Sequence, residues 1–565
     1  MKLPWKAVIL ILFLATSFIL NAQTIIPGGY VSGAWDSAGS PYLVDGNLLV
    51  QPDSTLAIGP GTEILFRGDF RLEVPGQLLI NGTPSQPVLF DGQDETITWR
   101  GIYLNNTDTS ITDSSILAHG TIRNCLGGSG LTLVNSDRVR ISFFTIDQCS
   151  SFQGGAIRCV GSDAWFENLI IENNIALDGA GMALDHSGAI MKNCIIRNNQ
   201  ADGAGGGMVI FNGSSPVLEN CEISGNFSYG SGGGIYINAA GTVCIRCSFT
   251  TNYGATGGGS LYSGGAVAVK LAANPHFENC FFIENQCNSS GGAIASFSPN
   301  SLINCLFEEN SAPVSGGAVY ISSGNPIETR LINNTFINND SPDGSVLYAH
   351  NHVAIVKNCI AWQDETPDTS SLFCLDAFMA LEALDVSWSD LKNGQEGIEL
   401  TGNASFHWGP GNISSDPLLN PESFEPAWNS PCIEAGTPDT TGLVLPELDL
   451  AGNPRLVNDV IDMGAFEFQN PLTIQHSTLN IQHYLTIIPN PAHHQVSISY
   501  SDIFGSEKKE IIIYNSLGIP VKSIVATDEV SGISTDISEL PDGLYFVVLM
   551  VNGRITATGK LVVRY

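Results

Sequence analysis

The chain has 565 residues, and 55 Asp and Glu against 23 Lys and Arg leave a formal charge of −32. Nucleic-acid binding draws on clustered Lys and Arg, so this balance excludes DNA and RNA as main partners. Only 14% of residues are charged, 43% are hydrophobic and 60 are Gly, which is too apolar for a disordered acidic chain and too Gly-rich for a helical bundle.

Lys2 and Lys6 flank the start of an uncharged run, Ala7 to Leu20, and Asn21-Ala22 then lead into Gln23. This is the layout of a secretory signal peptide (residues 1–22), too short for a comfortable membrane span, with cleavage expected after Ala22. No later stretch reaches the roughly 18 apolar residues of a membrane helix, so no transmembrane span is expected after cleavage. Residues 23–120 hold short apolar segments broken by turn residues, such as Leu56-Ala57-Ile58-Gly59-Pro60-Gly61 and Trp99-Arg100-Gly101-Ile102. They are expected to form the N-terminal cap and first coils of the element that follows.

Residues 121–414 are a repeat of about 26 residues. Gly-rich turns recur at Gly155, Gly181, Gly207, Gly234, Gly265, Gly292, Gly317 and Gly344. A second phase runs beside them: Asn193-Cys194, Asn220-Cys221, Arg246-Cys247, Asn279-Cys280, Asn304-Cys305, Asn334-Thr335 and Asn358-Cys359. Between these marks lie short alternating segments such as Ala318-Val319-Tyr320-Ile321, which read as strands; no stretch carries a helical period. Leucine-rich repeats need a Leu framework that is missing, and propeller blades need about 40 residues. A parallel β-helix with three short strands per coil remains. The phrases Glu278-Asn279-Cys280-Phe281-Phe282 and Ser315-Gly316-Gly317-Ala318-Val319-Tyr320 closely resemble the right-handed parallel β-helix family. In such a stack each residue lies about 4.8 Å above its counterpart. Asn193, Asn220, Asn279, Asn304 and Asn358 are therefore expected to stack as an inward amide ladder, with the adjoining Cys filling a tight interior column.

From Ser415 to Phe468 the wording Asp416-Pro417-Leu418-Leu419, Ser430-Pro431-Cys432, Pro454-Arg455 and Ile461-Asp462-Met463-Gly464 resembles the choice-of-anchor segment that closes many bacterial β-helices. Residues 415–470 are accordingly expected to be the C-terminal segment of the solenoid. Asp449, Asp462 and Glu467 have the hard oxygen ligands that suit Ca²⁺; the commoner use of such carboxylates is to accept backbone N–H groups in turns. No cofactor other than Ca²⁺ is suggested.

Residues 471–484 read as a polar linker. Residues 485–565 carry alternating segments for roughly seven strands and are expected to form a small immunoglobulin-like β-sandwich. Their motifs are Ile488-Pro489-Asn490-Pro491-Ala492, Tyr514-Asn515 to Gly518, Gly543-Leu544-Tyr545 and Lys560-Leu561-Val562-Val563. These resemble the type IX secretion sorting domain of Bacteroidota, and Arg564-Tyr565 departs from its commoner Lys-containing end. The resemblance implies handling by the type IX machinery, passage through the periplasm to the outer cell surface or medium, and removal of the tail. The sorting residues it implies are Pro489, Asn490, Pro491, Gly518, Gly543, Tyr545 and Lys560. The expected fold class is all-β: a right-handed parallel β-helix followed by that sandwich.

Chemistry is sparse. No H-E-x-x-H or G-x-S-x-G motif occurs. His350 and His352 would face one side of an extended strand, where a metal is one reading and surface decoration the other. Of thirteen Cys, most are expected to be buried thiols, with Cys244–Cys247 and Cys280–Cys287 the pairs to test for disulfides. Tyr229, Tyr236, Tyr253 and Tyr320 are candidates for stacking on sugar rings. Adjacent carboxylates such as Glu308 and Glu309 would point to opposite faces of a strand and so could not flank one bond. No catalytic residue is assigned. The expected function is a secreted or surface scaffold or adhesin that binds polysaccharide or another surface glycan. A polysaccharide lyase or glycoside hydrolase is the alternative.

Overall fold

The computed structural model describes residues 23–469, apart from 95, 106–114, 257–262, 271–272, 364–370 and 458–459. In the C-terminal part it describes 485–564, apart from 501–508, 516–518, 527–531 and 552–553. The expected leader and linker lie outside the described residues. Two compact units result, residues 1–471 and 472–565.

The first unit is a parallel β-solenoid whose strands pair with their counterparts one coil on. Met182–Asp185 pairs with Met208–Phe211 and then Ile235–Asn238 on one face. Ile190–Lys192, Val217–Glu219 and Val243–Ile245 make the second face, and Ile195–Arg197, Glu222–Ser224 and Ser248–Thr250 the third. A fourth, six-stranded parallel sheet runs from Ser150–Gln153 through Ile175–Asp178, Gln200–Ala201, Phe227–Ser228 and Tyr253–Gly254 to Gln286–Cys287. Three strands per coil was too few here, because the chain stays extended after the bend at Asn198 and Asn199, over Gln200–Ala201, before reaching the Gly turn. That turn needs glycine: Gly205 has φ +68°, and a Cβ there would lie 2.1 Å from the Met208 carbonyl oxygen, a conformation and a contact that other residues cannot accept cheaply.

Three bends share one grammar. A residue in the left-handed region faces out, and the next side chain turns in. At the first bend Asn193 (φ 52°), Asn220 (53°), Asn279 (54°), Asn304 (58°) and Asn358 (55°) hold the left-handed position. They stack in one column, but outward, contrary to the inward ladder expected. The Asn220 amide donates to Asn193 Oδ1 at 3.3 Å where both are exposed. Asn358 donates to Asn333 Oδ1 at 3.1 Å where both are buried. Asn333 (φ 52°), and not Asn334, belongs to this column. Asn334 instead takes the inward cysteine position, accepting the Cys305 N–H at 2.8 Å.

The second bend carries the true amide ladder, which sequence alignment on Asn-Cys overlooked. Asn174, Asn199, Asn226, Asn252, Asn285, Asn310 and Asn339 are all buried. Each Nδ2 donates to the next Oδ1 at 2.9–3.0 Å. Each Oδ1 also accepts the preceding rung's backbone N–H, as Asn252 does from Asn226 at 3.1 Å. The third bend does the same with hydroxyls: Ser162, Ser187 and Ser214 accept the backbone N–H of Ser136, Ser162 and Ser187 at 3.0–3.1 Å. These bonds satisfy backbone groups that a bend would otherwise strand in the core.

Apolar columns fill the interior. Phe249, Phe282, Phe307 and Phe336 stack at 4.7–4.8 Å between centroids, the coil repeat itself. Thirteen cysteines are free and buried, so neither Cys244–Cys247 nor Cys280–Cys287 is bridged. Cys194 and Cys221 donate to backbone carbonyls instead, and a neighbouring thiol together with burial pushes Cys194 and Cys244 up. Among the described residues no helix is long and apolar enough to cross a membrane.

Residues 415–469 add no coil. They run back along the flank over the first-bend column, which corrects their reading as a terminal part of the solenoid. Thr437 N–H bonds Asn358 Oδ1 at 2.8 Å, Asn333 Nδ2 bonds the Asp462 and Gly464 carbonyls at 3.1 and 3.2 Å, and Leu450 and Phe466 pack on Leu306 and Ile337.

Among its described residues the C-terminal unit has seven strands in two antiparallel sheets, one of three and one of four. Val496, Ile511, Val547 and Leu561 are among the residues of its own core.

Candidate functional site

Asp449, Asp462 and Glu467 do come together, but around Arg455, all four buried. Asp449 accepts the N–H groups of Asn453 and Glu467 at 2.7 and 2.8 Å. Asp462 accepts those of Glu434 and Phe468, both at 2.6 Å. Arg455 Nη2 donates to the Asp462 and Gly464 carbonyls at 3.0 and 2.9 Å, and Nη1 lies 3.6 Å from Glu467 Oε2. Burial raises all three carboxyls, Glu467 to about 8 against the pull of the guanidinium. Ca²⁺ would compete with N–H donors for the same lone pairs, so this donor set suits a structural clamp on residues 415–469 and not a cation. Among the described residues no group of three His, Cys, Asp or Glu is arranged to hold a metal. Arg455→Met should leave three buried carboxyls without their cation and cost about 3–5 kcal/mol. Thermal melting and proteolysis within 415–469 would register it, and adding Glu467→Met should recover part of the loss.

His350 and His352 diverge, because Asn351 between them has φ 48° and breaks the alternation. His350 Nδ1 pairs with Asp376 Oδ2 at 2.7 Å, and its Nε2 meets the Asn351 amide at 3.1 Å. His352 is buried; the Thr329 hydroxyl, which accepts Asn300 N–H, shares a hydrogen bond with its Nε2 at 2.9 Å, and Nδ1 has no hydrogen-bond partner. Burial lowers His352 to about 4. Between that value and the unfolded ~6.5 only the unfolded chain binds the proton, so stability falls as pH drops through this window, by roughly 3 kcal/mol in all. Urea unfolding at pH 7, 5 and 4 should register the loss. His352→Gln should lack this component, while Glu467 and the buried Asp390, which burial raises to about 6, act alike in both proteins.

Outer aromatics gather on the six-stranded sheet. Phe227 stacks on Tyr253 with centroids 5.6 Å apart and rings 2° from parallel, and meets Tyr229 edge-on at 4.7 Å. Tyr229 is 51% exposed, and Phe152, Ile175 and Leu177 continue the strip. Tyr236 and Tyr320 lie elsewhere, on the first face; Tyr320 is only 8% exposed and stacks on Tyr348 at 5.4 Å. Partly exposed rings on the outside of the coils can take the apolar face of a cyclic ligand. The solenoid's cations are largely engaged: Arg197 with Glu172 at 2.7 Å, Lys192 with Glu219 at 2.7 Å, Arg246 also with Glu219, and Arg140 and Lys192 over the Trp165 ring at 5.8 and 5.5 Å.

Finally, a cleft of about 540 Å³ lies between the third face and residues 416–424, lined by Glu308, Glu309, Trp362, Asp416, Leu419 and Phe424 among others. Glu309 has φ 51°, so Glu308 and Glu309 sit across a bend. Both line this one cleft, contrary to the expectation of opposite faces. Burial raises Glu308, with repulsion from Glu309 and Glu284 adding to it.

In the C-terminal unit the sorting residues pin the first segment to the last strand. Asn490 Nδ2 donates to the Lys560 carbonyl at 2.6 Å and Asn490 Oδ1 accepts the Val562 N–H at 2.8 Å. Pro489 and Pro491 flank Asn490 in this segment, Gly543 pairs with Val563, and the Tyr545 hydroxyl donates to the Pro541 carbonyl at 2.9 Å. Gly518 lies outside the described residues.

Residues 100–265 and 204–361 match the right handed beta helix region, and residues 486–564 match the secretion system C-terminal sorting domain. No curated protein matches the chain. The chain is thus a right-handed parallel β-helix protein with a secretion sorting tail. It is exported by the type IX system to the cell surface or the extracellular space.

Proposed function

We propose that the protein is a glycan-binding scaffold or adhesin of the cell surface, with the solenoid flank as its binding face. The observation that carries this reading is the outward strip of Phe227, Tyr229 and Tyr253, in which Phe227 meets Tyr229 of its own coil at 4.7 Å and Tyr253 of the next coil at 5.6 Å. A regular polymer meets a regular flank there, and the rings offer apolar surface with little entropy to lose. The net charge and the engaged cations favour neutral or amine-bearing glycans over uronates or sulfated chains.

Glycan-array retention of the full chain, with mass spectrometry of every retained glycan, tests the reading. Tyr229→Ala should weaken retention about tenfold while melting stays unchanged, since this ring is half exposed. Retention unaffected by Tyr229→Ala and Phe227→Ala together would remove the strip from consideration. The cleft lined by Glu308 and Glu309 favours a second reading, a glycoside hydrolase, because two carboxyls on one cleft are what acid–base cleavage of a glycosidic bond requires. Release of reducing ends that stops in Glu308→Gln would select it.

A further inference from the structure

We propose that the cleft between the third face and residues 416–424 binds an amino sugar, with Glu308 and Glu309 taking its ammonium group and Trp362 and Phe424 its ring. This deepens the glycan reading by naming the sugar class and rests on it, yet uses none of the residues of the aromatic strip.

The cleft joins three properties that select this chemistry. Its volume, about 540 Å³, suits a small ligand or the end of an oligosaccharide. Part of its wall is apolar and aromatic, from Trp362, Leu419 and Phe424, while its charged lining residues are all acidic: Glu308, Glu309 and Asp416. Glu284 precedes Glu309 in the same left-handed column, with φ 54° and 51°, so like charges crowd its edge. A bound cation relieves that crowding, whereas a uronate or sulfate adds to it.

The indole itself already receives an ammonium group. Lys392 Nζ lies 5.9 Å from the Trp362 centroid, the geometry of a cation–π contact. A neutral sugar would use the rings but leave the carboxylates without a cation. An alkyl polyamine would use the carboxylates but offer no ring. An amino sugar satisfies both, its protonated amine donating charge-assisted hydrogen bonds to the carboxylates.

Calorimetry on the full chain with glucosamine tetrasaccharide, its N-acetylated counterpart and spermine tests this. The free-amine tetrasaccharide should bind at least about tenfold more tightly than either comparator, without added Ca²⁺. Glu308→Gln with Glu309→Gln should remove that preference while the melting temperature holds. Should the double variant fold poorly, Glu309→Gln alone, at an exposed bend residue, should reduce it severalfold. Equal binding of both tetrasaccharides, spermine binding as tightly as the sugar, binding that depends on added Ca²⁺, or an unaltered preference in a folded variant would overturn the proposal. Glycan binding that survives these substitutions but is lost with Tyr229 and Phe227 would overturn the cleft while leaving the glycan reading intact.

Discussion

Asn252→Leu is expected to cost the solenoid roughly 4–6 kcal/mol, from at least three buried polar groups losing partners at about 1–3 kcal/mol each. Asn252 Nδ2 donates to the Ile223 carbonyl at 2.8 Å and to Asn285 Oδ1 at 3.0 Å, while Asn252 Oδ1 accepts both the backbone N–H and the Nδ2 of Asn226 at 3.1 and 3.0 Å. None of these groups can turn to water. Asn220→Leu offers the control, because its side chain is exposed and bonds Asn193 at 3.3 Å; its cost should stay at about 1 kcal/mol, mostly from forcing a residue that disfavours the left-handed region into φ 53°. Denaturant unfolding of the two variants should separate them clearly. Equal losses would mean that the left-handed column and not the buried ladder holds the bends.

Deletion of residues 485–565 is expected to abolish export while leaving the solenoid folded. The tail has its own two sheets and its own core, and residues 23–469 hold a separate apolar core, the basis for folding as independent units. The sorting domain is the part the type IX machinery handles. Immunoblots of medium, surface and periplasmic fractions should find the truncated chain in the periplasm, with a far-ultraviolet dichroism spectrum still typical of β-structure. Normal amounts outside the cell would defeat the assignment of export to this tail. A truncated chain lost to proteolysis in the periplasm would defeat the claim of independent folding.

The stacking and period of the solenoid were legible because Gly turns and Asn-Cys pairs recur in fixed phase. Which asparagines matter was not. At the first bend Asn is conspicuous because the outward left-handed position tolerates it, so the eye follows a backbone preference. At the second bend the outward residue varies, as Asn198, Gly225, Thr251, Glu284 and Glu309, and only the residue after it stays Asn. The invariant partner inside was hidden by the variable partner outside. The same left-handed geometry misled the reading of Glu308 with Glu309 and of His350 with His352, since period-2 alternation holds only where the backbone is extended. The clamp at Arg455 depends on chain segments whose docking no local pattern announces. The cleft is made by residues 416–424 returning over coils more than fifty residues earlier in the chain, which a periodic reading has no means to foresee.

The cysteine column imposes a race on biogenesis. A thiol is harmless once its coil has been covered by the next, but an unfolded chain in an oxidising compartment offers thirteen nucleophiles to any disulfide-exchange partner. Stacked coils bury themselves by propagation from wherever folding nucleates, each new coil sealing its neighbour. Protection therefore advances along the chain as a front, and a molecule that stalls partway is vulnerable mainly at its unfinished end. With an odd number of thiols, even complete internal pairing would leave one free to capture a stranger, so the speed of coil closure, as much as the final stability, decides how much correctly folded protein leaves the cell.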